Sequence, residues 1–167
     1  MKNFRMFIAV FLGVCTFSVA QATEVKLGGG LIFEGSVPGV AVAVDIPIPE
    51  RPLAISFSAD YFKKSGHTTV PLAIRGVYKA PVSEKADFYI GAGGGLFYSK
   101  EDAHGTVPRH SSTKGLFSSV GGIDLKLSDS IGLFGEITFD RALTSGARNE
   151  IAAKGGIFFS LGSHGHH

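Results

Sequence analysis

Histidine, serine and carboxylate side chains gather in one polar stretch: Glu101, Asp102, His104, His110, Ser111 and Ser112, with His67 earlier in the chain. Together these types could run nucleophilic catalysis, the serine attacking while the histidine takes its proton and an acid orients the ring. That chemistry needs the base within hydrogen-bond reach of the nucleophile. No spacing here enforces it, because the residues fall in a polar loop, residues 99–113. A second candidate is FYIGAGGGLFY, Phe88 to Tyr98, whose glycines could cradle a phosphate. A dinucleotide fingerprint requires G-x-G-x-x-G opening a helix after a strand. Gly91 and Gly93 fit, but Leu96 stands at the final position and no helical period follows, so the phosphate reading fails. His164, His166 and His167 could hold a transition metal. As a free tail they would order only at an entropic cost, and neither metal nor cofactor is expected.

The remaining reactive types are charged residues spread along alternating segments, and the elements that carry them decide what they can do. The chain begins with Lys2 and Arg5, an apolar run from Met6 to Ala20, and Ala20-Gln21-Ala22 before Thr23. This predicts a cleaved secretory signal peptide over residues 1–22, too short in its apolar part to span a bilayer. The only cysteine, Cys15, lies inside it, so the exported chain has no disulfide to hold it. The 16 basic residues exceed the 14 acidic ones only by Lys2 and Arg5, leaving the mature chain near neutrality. No nucleic-acid partner is expected. One domain, residues 23–161, followed by a His-rich tail, residues 162–167, fits the length.

From Thr23 onward the sequence alternates with period two, the signature of strands whose faces differ. Leu27, Leu31 and Phe33 oppose Lys26 and Gly28; Val40, Val42 and Val44 oppose Ala41, Ala43 and Asp45. Ile55 and Phe57 oppose Ser56 and Ser58, and Leu72 and Ile74 oppose Ala73 and Arg75. Phe88, Ile90 and Leu96 oppose Tyr89, Gly91, Gly93 and Gly95. Ile123 and Leu125 oppose Gly122 and Asp124, Leu133 and Ile137 oppose Phe134 and Glu136, and Ile151 and Ile157 oppose Lys154 and Phe158. Eight strands result, and no helix is needed.

One face of every strand is almost free of charge, while the other carries Lys26, Asp45, Asp60, Arg75, Asp124, Lys126, Glu136 and Lys154. A charge facing lipid at the bilayer midplane costs about 2–4 kcal/mol, so an uncharged belt suits the outside of a transmembrane barrel. The polar face then turns inward, where eight strands leave room for side chains rather than a channel. The eight charged residues are expected to form a lumenal ion-pair network, and Gly91, Gly93 and Gly95 to make space for Tyr89, Phe97, Phe134 and Phe158. Outward aromatics fall at strand ends: Phe33, Tyr61, Tyr98 and Phe139 at one, Tyr78, Phe88 and Phe159 at the other, as two interfacial girdles would require. Joints at residues 63–68, 99–113 and 141–148 are expected as longer outer loops, against tighter turns at 49–52, 80–84 and 128–130.

VPLAIRGVYKA, FYIGAGGGLFY, GGIDLKLSDSIGLFGEITFD and KGGIFFSLG together resemble the small eight-stranded outer-membrane β-barrel proteins, the OmpA/OmpX-like group. The resemblance covers nearly all of the mature chain and implies an all-β, antiparallel, up-and-down transmembrane barrel in the bacterial outer membrane. Lys154, Gly156, Phe159 and Leu161 are similar to the C-terminal signal read by the outer-membrane assembly machinery, although the chain runs on to His167 instead of ending on an aromatic residue. Some barrels of this size are lipid A-modifying hydrolases, but His110-Ser111 is not their histidine–serine motif, and no enzyme is expected. The implied role is structural or interactive. Residues 99–113, with Lys100, Glu101, Asp102, His104, Arg109 and His110, are the surface expected to meet lipopolysaccharide or an external partner. A narrow channel or carrier with a polar lumen is the alternative. A soluble periplasmic barrel binding an apolar ligand would need the apolar face to point inward.

Overall fold

The structure is a computed structural model describing residues 23–101, 110–144 and 149–162. The signal peptide and the terminal histidines expected from the sequence lie outside the described residues. Eight strands follow in chain order: β1 Thr23–Ile32, β2 Val37–Pro47, β3 Leu53–Lys64, β4 His67–Ser83, β5 Ala86–Glu101, β6 His110–Lys126, β7 Ile131–Ala142 and β8 Asn149–Leu161. Each pairs antiparallel with its neighbour in sequence, and β1 pairs with β8 to close the barrel. Closure satisfies every backbone ladder and removes the exposed edge that an open sheet would leave.

The turns follow from local backbone chemistry. Ser65 and Gly66 alone join β3 to β4, with φ of 45° and 81°. Two successive positive φ values define the primed two-residue turn whose twist matches that of its flanking strands. This corrects the loop expected over residues 63–68. The loop expected over 99–113 shrinks in the same way: His67 pairs with Glu101, and Glu101 with His110, so the ladder runs on above the alternating region. Lys100 and Glu101 are therefore residues of β5, and His110 opens β6, rather than forming a loop. Where neither face must be apolar, alternation stops marking a strand although pairing continues; the Ser99 and Ser112 hydroxyls still meet across it at 2.9 Å. Asp102, His104 and Arg109 lie outside the described residues.

The facing of the strands is the inverse of a water-soluble barrel. Ile74, Ile90, Val40 and Ile137 are 55–60% exposed on the outer surface, whereas Lys26, Asp60, Arg75 and Asp124 are no more than 2% exposed. The seven aromatic residues at the strand ends all stand on the outer face. Phe88 and Tyr98 lie ten positions apart on β5, a good match to the ~9–11 tilted residues that cross a hydrocarbon core.

The lumenal glycines serve two purposes, and only one matches the expectation. A Cβ on Gly91 would lie 2.8 Å from the Gly76 carbonyl oxygen, one on Gly93 2.8 Å from Arg75 Cα, and one on Gly95 2.9 Å from Ala73 Cα. These three admit the backbone of β4, not aromatic rings; a glycine in a strand often marks such close approach of another backbone. The rings use other glycines. A Cβ on Gly122 would sit 2.5 Å from Tyr89 Cζ, and one on Gly28 2.8 Å from Phe134 Cζ.

Gly122→Ala is expected to cost about 1–3 kcal/mol through overpacking against Tyr89, read as a lower urea midpoint of the refolded barrel. Gly135→Ala, whose Cβ would meet nothing within 4 Å, should leave the midpoint unchanged or slightly raised.

Candidate functional site

The lumen gathers charges from seven of the eight strands into two tiers. In the tier nearer the β2–β3 and β6–β7 turns, Lys26 of β1 lies 2.9 Å from Asp124 Oδ1 of β6 and 3.2 Å from Asp45 Oδ2 of β2. Lys79 of β4 reaches the same two acids at 3.3 and 3.4 Å and also pairs with Glu24 of β1. The Glu24, Asp45 and Asp124 oxygens approach one another closely enough to hold a metal ion, but the Lys26 and Lys79 ammonium groups already occupy that position. Above them, the Lys26 Nζ sits 3.9 Å from the centroid of the Tyr89 ring, a cation–π contact that joins the tiers.

The middle tier begins at the Tyr89 hydroxyl, which donates to Glu136 Oε2 at 2.7 Å. Lys154 of β8 bridges Glu136 Oε1 at 2.9 Å and Asp60 Oδ2 of β3 at 2.7 Å. Arg75 Nε donates to Ser118 Oγ at 2.8 Å, and the Ser118 hydroxyl donates in turn to Asp140, whose Oδ1 lies 3.9 Å from Arg75 Nη2. Burying these charges removes each from water, so their stability depends on such pairing.

The structure brings together Lys26, Asp45, Asp60, Arg75, Asp124, Glu136 and Lys154. It does not place Lys126 with them. That side chain is 42% exposed at the rim, where it pairs with Asp87 at 2.8 Å. Its parity points inward, but it is the last residue of β6, and a long lysine at a strand end reaches water. Glu24, Lys79, Ser118 and Asp140 complete the network beyond the residues expected from the sequence, and Tyr89, expected only as an inward ring, joins it through its hydroxyl. Their positions on the polar face were the available signal; which residue meets which across the barrel is set by closure.

The outer mouth was the place for catalysis. His67 Nδ1 lies 3.6 Å from Glu101 Oε1, and Nε2 3.2 Å from Thr69 Oγ1, a line of acid, imidazole and hydroxyl. Thr69 is 2% exposed, and the His67 and Glu101 side chains are 46% and 71% exposed, where water screens their contact. The Ser112 hydroxyl shares a hydrogen bond with that of Ser99.

Closed sheet, apolar exterior and charged interior define the class of eight-stranded membrane-type β-barrels. Comparison with solved structures agrees on the fold. The chain is similar to the N-terminal β-barrel domain of Pseudomonas aeruginosa OprF, with TM-score 0.67 and 10% identity over 84% of this chain and 98% of that one. It is also similar to Neisserial surface protein A, with TM-score 0.57 and 14% identity over 83% of this chain and 94% of that one. Ail, the attachment invasion locus protein of Yersinia pestis, matches with TM-score 0.58 and 10% identity over 84% of this chain and 99% of that one. No protein-family model matches the sequence, and no curated protein matches it significantly.

Lys154→Met would leave Asp60 and Glu136 buried without their shared cation, and should destabilise the barrel by about 3–5 kcal/mol. Lys126→Met at the exposed rim should cost no more than about 1 kcal/mol. Urea unfolding of both refolded variants, followed by gel migration without boiling, checks the contrast.

Proposed function

We propose that the protein is an exported outer-membrane barrel with a filled, non-conducting lumen, supporting the envelope or presenting its outer rim to a partner. The observation that carries this reading is the inverted facing: a continuous exposed apolar belt around paired charges. Exposed apolar area on that scale calls for a covering phase, and a closed sheet is the only way strands can enter hydrocarbon with every backbone group satisfied. Outward Phe33, Tyr61, Tyr98 and Phe139, with Tyr78, Phe88 and Phe159, would sit at the two interfaces. Phe159 and Leu161 face outward on the last strand, where the assembly machinery would meet them. Lys100 and Lys114 at the outer end are suited to lipopolysaccharide phosphates, and the same rim is the surface offered to an external partner.

A narrow channel is the competing reading. It is opposed by the bulk across the lumen, where Phe62, Phe158 and Leu116 are no more than 2% exposed. A soluble barrel holding an apolar ligand lacks the inward apolar face it requires.

Ile74→Arg and Ile137→Arg separate these classes. In a membrane barrel each should reduce insertion into lipid vesicles sharply, at about 2–4 kcal/mol per midplane arginine, and the wild-type chain should fractionate with the outer membrane. Normal folding of both variants in water would overturn the reading. Planar-bilayer recordings of the wild-type protein should show no stable ohmic channel.

A further inference from the structure

The middle tier of the lumen does not balance. Arg75 and Lys154 supply two positive charges, while Asp60, Glu136 and Asp140 supply three carboxylates. Asp60 and Asp140 each lie within electrostatic reach of Arg75, Lys154 and Glu136. The lower tier has the same excess, with Lys26 and Lys79 against Glu24, Asp45 and Asp124, but the Glu24 side chain is 17% exposed at the open mouth, where water and counterions reach it. The middle tier is more enclosed among the described residues: the Asp60, Arg75 and Lys154 side chains are 1–2% exposed, Asp140 6% and Glu136 8%.

That tier is sealed on both sides by the residues that alternate with it. Toward the outer end, Asp60, Lys154, Ser118, Asp140 and Arg75 are followed on the same face by Phe62, Ala152, Leu116, Ala142 and Ala73, all buried. Ile32 packs with Phe62 and Ala152 in that plate. On the other side stand Phe134, Val77 and Val120, each no more than 7% exposed. Around the tier, β1 contributes Lys26 from below, β2 the alanines Ala41 and Ala43, β5 the Tyr89 hydroxyl and β6 Ser118. Beyond the outer plate, Glu150 and Lys114 line the solvent-open mouth.

Within the seal, three polar atoms have no hydrogen-bond partner: Asp60 Oδ1, Arg75 Nη2 and Thr138 Oγ1, the last on the same face as Glu136 and Asp140. Their residues are no more than 2% exposed. An uncompensated carboxylate in such a site is strongly disfavoured, and the usual resolution is neutralisation. Three carboxylates set among two cations leave one negative charge uncompensated, and like charges acting on one another favour protonation of one of them.

We infer that the enclosed middle tier is a proton-binding site, holding one proton on either Asp60 or Asp140 when the protein stands at neutral pH. Glu136 is not the holder, because it already accepts from both Tyr89 and Lys154. Among the described residues, Asp60 keeps one oxygen without a donor, and Asp140 accepts from Ser118, with Arg75 Nη2 too distant at 3.9 Å for a hydrogen bond. The bound proton makes the tier neutral and lets the lumen stay closed without a mobile counterion. The inference rests on the filled-lumen reading above, and its test is independent of it.

Infrared spectroscopy of the refolded full chain in lipid vesicles at neutral pH reads the proton directly. We expect a carbonyl stretch of protonated carboxylic acid, shifting in deuterium oxide, with the intensity of one group per chain. Asp60→Asn or Asp140→Asn leaves two carboxylates against two cations, so each variant should lose the band completely. Absence of the band in the wild-type barrel overturns the inference, whether or not either variant folds, as does its persistence in both variants. Bilayer conductance distinguishes the two failures: a closed lumen without the band refutes the proton alone, whereas an ohmic channel refutes the filled lumen.

Discussion

Pairing of β1 with β8 is the constraint on which the rest depends. It turns a sheet with two faces into a wall with an inside and an outside, and it gives every strand neighbours on both flanks. Once closed, an eight-stranded barrel brings the side chains of its inner face together across a narrow interior. Each inward residue must then find its partner among the other inward residues. The polar lumen and the apolar exterior are two results of one topological event, because successive side chains point to opposite faces.

The interior is organised by alternation of size and polarity. Aromatic rings lie over glycines, as Tyr89 does over Gly122 and Phe134 over Gly28. Between them, cations bridge acids from strands remote in sequence: Lys26 with Asp124, 98 residues away, and Lys154 with Asp60, 94 residues away. Such pairs add little net stability over a well-packed apolar substitute, but breaking one strands a charge. Their effect is to fix which strand faces which across the lumen. Lys154 illustrates this: it contacts acids from β3 and β7 at once, which fixes the position of β8 relative to both.

The fold was legible in the sequence wherever both faces have a fixed environment. In Ile131, Leu133 and Ile137 against Phe134, Glu136 and Thr138, burial on one side and apolarity on the other leave an unmistakable period of two. Beyond the belt both faces meet water, and Ser99, Lys100, Ser111 and Ser112 look like loop while being strand. The candidate site was legible as a face but not as a set of contacts. Parity places Lys79 and Asp140 among the inward residues, yet nothing local says that Lys79 meets three acids or that Asp140 is tied to Ser118. Parity also misleads at the ends, where Lys126 points inward and still reaches solvent. The glycines of β5 show the same limit: their spacing was evident, but the closeness of the β4 backbone is a property of the curved sheet.

The length of chain separating each cation from its acid has a kinetic consequence. Contacts between residues almost a hundred positions apart form only after most of the chain has been arranged, and topologies rich in them fold slowly. Until the last strand docks, Lys26, Asp124, Lys154 and Asp60 remain hydrated on the concave side of an open sheet. Dehydration of the interior and completion of the sheet are then a single step. A half-assembled intermediate keeps a water-filled cleft, and zipping up that seam expels its water in one cooperative transition.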